Sequence, residues 1–215
     1  MFRKNVLNLI IVVSTLFVAS TPLYAVPVDL VIFNNPALAA DPDLKFTVEA
    51  LNGGSETVNF IITNLSTMDS TIKQVFFDGD DLLNIFDVIN SAGVNGDAPD
   101  FEADASPGNL PGGNNSTLLA SFGGVFTDDF SASANPPPAH NGIDHGESIT
   151  VKFNVSGDAD TIIGQLNDGT LRVGAHIISV GCDEVSVSAV STPEPATIAL
   201  LGLGFLALLK KRSGK

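Results

Sequence analysis

Several short stretches of this chain alternate apolar and polar residues with a period of two, the signature of a half-buried β-strand and not of an amphipathic helix. Residues 45–51 place Phe46, Val48 and Ala50 on one face and Thr47 and Glu49 on the other. Val58, Phe60 and Ile62 repeat the pattern, and Ile149, Val151, Phe153 and Val155 do so against Thr150, Lys152 and Asn154. Residues 28–33, 72–77, 118–126, 171–177 and 185–189 are further candidate strands. Asn-Gly, Asp-Gly and Gly-Gly turn signals separate them, which predicts an antiparallel sandwich or barrel. One helix is expected over residues 160–166, capped by Asp158 or Asp160 and stopped by Asn167-Asp168-Gly169. Residues 93–115 and 132–147, rich in Gly, Pro, Asn and Asp, read as long loops. The fold class expected is all-β, an antiparallel β-sandwich of jelly-roll or immunoglobulin-like architecture with one short helix over residues 26–191.

Both ends depart from this pattern. Arg3 and Lys4 precede an apolar run, and Thr21-Pro22-Leu23-Tyr24-Ala25 follows it. A basic start, an apolar stretch and a small residue at the cut describe a secretory signal peptide over residues 1–25, removed after Ala25 by signal peptidase. At the other end, Thr192-Pro193-Glu194-Pro195 leads into 14 uncharged residues from Ala196 to Leu209, followed by Lys210, Lys211 and Arg212. A helix of that length covers about 21 Å, less than the ~30 Å hydrocarbon core, so the tail is a short transmembrane helix that anchors marginally. Lys210, Lys211 and Arg212 form a basic stop that favours the cytoplasmic side, as do Arg3 and Lys4. Everything between the two ends is then exported. The prolines fix φ, and Glu194 is pushed extended by Pro195, so Pro193-Glu194-Pro195 offers an extended peptide just outside the bilayer.

Pro193-Glu194-Pro195, the short apolar run and the terminal basic cluster together resemble the PEP-CTERM sorting signal of Gram-negative bacteria, here residues 192–215. The resemblance implies that an exosortase recognises and cuts the tail after transient residence in the inner membrane. It also implies that the body goes to the cell surface or to an extracellular matrix, with exopolysaccharide or biofilm as its associated partner. A permanently anchored envelope protein, its tail retained, is the competing reading of the same segment.

Charge bounds the partners of the body. The whole chain carries a formal charge of −14, and residues 26–192 keep four basic against 23 acidic residues, a net charge of −19. Nucleic acid is excluded as a partner, because phosphate binding needs clustered Lys and Arg. Cys182 is the only thiol, so there is no disulfide framework, and the neighbouring Asp183 disfavours a reactive thiolate.

Motifs for catalysis are sparse. No Gly-x-Ser-x-Gly turn occurs; Gly146-Glu147-Ser148-Ile149-Thr150 lacks the second glycine. His140 and His145 lie in a Pro/Gly-rich stretch without helical metal-pair spacing, and His176 faces away from Val173, Ala175 and Ile177 on a strand. The expectation is therefore no enzyme, no catalytic residue and no cofactor other than a candidate calcium ion. Calcium takes about six to eight oxygens, and Asp78, Asp80 and Asp81 are its candidate ligands. Asp97, Asp100, Glu102 and Asp104, then Asp158 and Asp160, extend the acidic pattern. A solubilising acidic surface accounts for the same residues. The enzyme alternative is a secreted hydrolase in which several of Asp78, Asp80, His140, His145 and His176 converge on one pocket.

Overall fold

Strict alternation is most visible in two strands, β3 (Thr57–Asn64) and β8 (Ser148–Val155), where every second residue is buried. The computed structural model describes residues 26–94, 98–103 and 108–192. Beside β3 and β8 these residues form β1 (Val28–Ile32), β2 (Phe46–Gly54), β4 (Thr71–Asp78), β5 (Leu82–Asn90), β6 (Phe101–Ala103), β7 (Phe130–Ala134), β9 (Arg172–Val180) and β10 (Val185–Ser191). All pair antiparallel in one sheet of order β5-β8-β3-β2-β1-β10-β9-β4-β7-β6. Among the described residues three α-helices interrupt the strands: α1 (Pro36–Ala39), α2 (Pro138–Asn141) and α3 (Ala159–Asp168).

The sheet turns back on itself, and phenylalanine rings mark where its halves meet. Phe60 of β3 and Phe153 of β8 belong to one half, and Phe77 of β4 and Phe130 of β7 to the other. Yet the ring centroids of Phe60 and Phe77 are 5.2 Å apart, those of Phe77 and Phe153 4.8 Å, and those of Phe130 and Phe153 5.4 Å. Edge-to-face and tilted contacts at this range add to the burial of the rings themselves. The terminal strands also return toward each other, and the Phe101 N–H donates to Asn90 Oδ1 at 3.0 Å. The antiparallel all-β expectation is thus met in one nearly barrel-like sheet. β1 and β10 join its facing halves, so no break divides it into the two sheets of a sandwich. Segment 26–192 holds a core of buried apolar side chains that runs from Val28 to Val190.

Helix α3 begins and ends on the chemistry read from the sequence. Asp158 caps it by accepting the Asp160 N–H at 3.1 Å, and Gly169 ends it at φ 82°, a conformation glycine adopts without strain. Ile162, Ile163 and Leu166 dock on the core.

Other expectations differ. Residues 118–126, expected as a strand, are a loop with a 3₁₀ turn at Ala120–Phe122 followed by Gly123 and Gly124 at φ 89° and 91°. Its inward residues, Leu119 and Phe126, do not follow a period of two. They cover the outer face of the sheet, forming a second core with Phe33, Phe76, Leu110 and Val190. Gly174 of β9 permits that approach: a Cβ there would stand 2.8 Å from Leu110 Cδ2 and 3.2 Å from Phe126 Cζ. β6, β7 and α2 fall wholly or partly in the stretches read as long loops. β5 escaped notice because register shifts in its pairing with β8 break the alternation and leave Leu83 and Phe86 exposed.

Candidate functional site

The end of the sheet from which the tail departs is built by β1, β10 and β9. Leu30 pairs with Ser191 and Val31 with Val190, and beyond this ladder the Thr192 N–H donates to the Asp29 carbonyl at 3.1 Å. On the other flank β10 pairs with β9, so its main chain is engaged on both edges. Val190 is wholly buried, and Ser191 Oγ accepts the Val173 N–H at 2.9 Å. Because β1 and β10 run antiparallel, the chain enters at residue 26 and departs after residue 192 at one end of the sheet. The register places the β2–β3 turn, the β4–β5 turn and the start of β9 at that same end.

Beside it lies the main polar cluster. Arg172, the first residue of β9, forms an ion pair with Asp78, the last of β4. Its guanidinium also donates to the carbonyls of Phe122 and Gly124, each at 2.9 Å, and of Val125 at 2.6 Å. The Phe126 ring stacks 5.2 Å from the guanidinium carbon. One forked cation thus fastens the 108–128 loop to the sheet, a task that suits a planar guanidinium better than an ammonium. Asp78 accepts the Thr127 N–H at 3.2 Å, and Asp129 accepts that of Gly79 at 3.0 Å. Asp128 accepts the Leu110 N–H at 3.0 Å. Burial pushes the Asp128 carboxyl up to about 6; the Leu110 bond opposes this, while Asp78 and Asp129 add to it.

The candidate calcium ligands do not converge. Asp78 faces Arg172, Asp81 accepts the Gln165 side-chain amide at 2.6 Å, and Asp80 is exposed. Among the described residues no group of three or more His, Cys, Asp or Glu side chains is placed to hold a metal ion. The histidines have separate neighbours. His140 lies in α2, His145 Nδ1 contacts the Ser66 carbonyl, and His176 Nδ1 is 3.2 Å from Gln74 Oε1. His176 does face away from the core, as its strand position predicts, but it is half-buried; burial and then Lys73 lower its pKa. Cys182 is exposed in the β9–β10 turn. Asp97 and Asp104 lie outside the described residues, as do the signal segment with Ala25, Pro193-Glu194-Pro195, and Lys210, Lys211 and Arg212.

Sequence reasoning missed two structural polar residues. Glu147 is buried and accepts the N–H groups of Val94 and Asp144 at 3.0 and 2.9 Å. Asn64 is also buried; its amide donates to the carbonyls of Ser70 and Ile143. These contacts join the β3–β4 and α2–β8 connections, and a single sequence carries no sign of such long-range bonding.

What the described residues define is an acidic antiparallel β-protein whose last strand runs without a spacer into its C-terminal tail. Residues 191–213 match the model of the PEP-CTERM protein-sorting motif, starting at the final residue of β10. The chain therefore carries that sorting motif, which implies an exosortase-targeted protein exported toward the surface. No curated protein and no solved structure matches the chain. Among the described residues no helix is long and apolar enough to cross a membrane.

Proposed function

We propose that this protein is an acidic surface or matrix component, delivered through the inner membrane and released when an exosortase removes the tail near Thr192. The observation that carries the reading is the motif match beginning where β10 ends. The match overlaps the body only at Ser191, the last residue of β10, and the described core runs from Val28 to Val190. The body's role is structural or adhesive. Its charge of −19 over residues 26–192 repels an anionic exopolysaccharide unless cations bridge the two. A non-catalytic body is supported by three of the five residues a hydrolase would need having separate structural partners: Asp78 is engaged by Arg172, His145 by the Ser66 carbonyl and His176 by Gln74.

Replacing Pro193, Glu194 and Pro195 by alanine tests the sorting step. The variant should keep its tail and stay in the membrane fraction, and release at the normal rate would refute the assignment. The matrix role is tested separately by co-sedimenting segment 26–192 with the host's exopolysaccharide, with and without calcium. Binding that needs calcium supports cation bridging, and absence of binding in both conditions removes it.

A further inference from the structure

Three residues, Pro193, Glu194 and Pro195, separate Thr192 from the apolar run that starts at Ala196. Fully extended they span about 10 Å. The body they would hold at the bilayer has a radius of gyration of about 15 Å for its length. A protease reading an extended peptide needs the main chain free on at least one edge. On the N-terminal side of Pro193 the edge toward β1 is taken: Thr192 is bonded to Asp29, and Ser191 and Val190 pair with β1, while β9 holds the opposite edge of β10 as far as Val190. Ser191 is 2% exposed and its hydroxyl is used by Val173. The folded sheet thus withholds Val190 and Ser191 and holds the Thr192 main chain against β1.

We infer that the β1–β10 pair gates processing: the tail is cut only while the end of β10 is detached from β1, before the body folds or during local opening. This rests on the sorting reading above and adds the conformational state in which the chain is a substrate. Strand ends open locally with free energies well below that of global unfolding. Each backbone hydrogen bond given up lowers the open population by up to about tenfold, so the closed body is a poor substrate. Unpairing Val190 also exposes a wholly buried side chain, which deepens the effect. The order of events follows: export, then cutting of the unfolded or frayed end, then closure of β10 on β1.

The test uses the full chain in an exosortase-producing bacterium, with processing followed by pulse–chase and mass. Asp29→Cys with Thr192→Cys, in a Cys182→Ser background, places two thiols across the bonded pair, where the Cα separation of about 5.5 Å suits a disulfide. Diamide takes up the two thiol hydrogens as the bond forms, and dithiothreitol reverses it. The locked chain should be processed at least about tenfold more slowly than its reduced form, while the single Asp29→Cys variant, whose main-chain carbonyl still accepts the Thr192 N–H, shows no such dependence on diamide. A second chain carries eight Gly/Ser residues between Thr192 and Pro193, which frees the edge without touching the core. It should be processed at least about tenfold faster than the parent, with or without the lock. Equal rates for locked and reduced chains, or no gain from the spacer, would overturn the gate while leaving the sorting reading intact. If no chain is shortened, even with the spacer, the sorting reading itself fails and the gate with it.

Discussion

Replacing Arg172 by alanine should be among the most damaging single changes in the body. Among the described residues, its guanidinium is the cation that attaches the 108–128 loop. It serves three carbonyls, of Phe122, Gly124 and Val125, together with the Asp78 carboxylate. The side chains of Arg172 and Asp78 are 10% and 16% exposed, so the pair is well removed from solvent. Breaking a buried pair by deleting one partner costs about 3–5 kcal/mol, and each carbonyl left without a donor adds up to about 1 kcal/mol. Water reaches the loop rim and offsets part of this, which leaves a net loss of about 4 kcal/mol. For a body of this size that corresponds to a fall in Tm of about 10 °C. Urea unfolding of segment 26–192 reads it as a lower midpoint with an unchanged slope. Hydrogen exchange should show the loss first in the amides of the 108–128 loop. Arg172→Lys should recover only part of the stability, because an ammonium cannot fork to three carbonyls and a carboxylate. A loss below about 1 kcal/mol for Arg172→Ala, or equal recovery by lysine, would refute the claim that the guanidinium fastens this loop.

Three further outcomes follow from packing and charge. Asp128 has its folded pKa raised to about 6, above the ordinary 3.8, so its penalty at neutral pH is relieved as pH falls through 6 toward 4. Because the group is half-exposed, solvent screening limits the effect to about 1 kcal/mol or less. Wild type should gain that much on Asp128→Asn between pH 7 and pH 4.5 in urea unfolding. The comparison is needed because His176, its pKa lowered by burial and then by Lys73, makes stability fall as pH drops below 6.5 in both chains. Phe153→Ala removes the ring that touches Phe60, Phe77 and Phe130, and should cost about 3–5 kcal/mol by urea unfolding. Gly142→Ala would put a Cβ 2.2 Å from Thr71 Cγ2 and 2.8 Å from the Ile72 carbonyl, so the Ile72–Ile143 bridge must shift. A loss of about 2 kcal/mol or more is expected in the same assay.

The period of two made most of the central strands legible, because β2, β3 and β8 bury one face and leave the other half-exposed, and the sequence records that directly. It also made α3 legible, through Asp158 at its start and Gly169 at its end. Closure of the sheet was not legible. Whether facing layers are joined depends on the β1–β10 pairing, a contact between residues more than 150 positions apart. β5 was hidden by register shifts, and β6 by its shortness. The 118–126 loop misled because its apolar residues serve a second core on the outer face, which a strand pattern does not anticipate. Arg172 was the least visible of all: nothing in a lone arginine at a strand start shows that a loop 50 residues earlier will bring it three carbonyls. The tail was the opposite case. Its three-part order is local in sequence, so it could be read without a structure.

The central claim is that the tail is a processing signal, and the most direct test is the intact mass of the protein from cells with and without exosortase. With the enzyme, the account predicts a chain in the medium or surface fraction that starts at Val26 and ends between Thr192 and Pro195. Without it, the chain should stay in the membrane fraction and keep Lys210, Lys211 and Arg212. An identical full-length tail in both strains would contradict the account and make this a permanently anchored envelope protein.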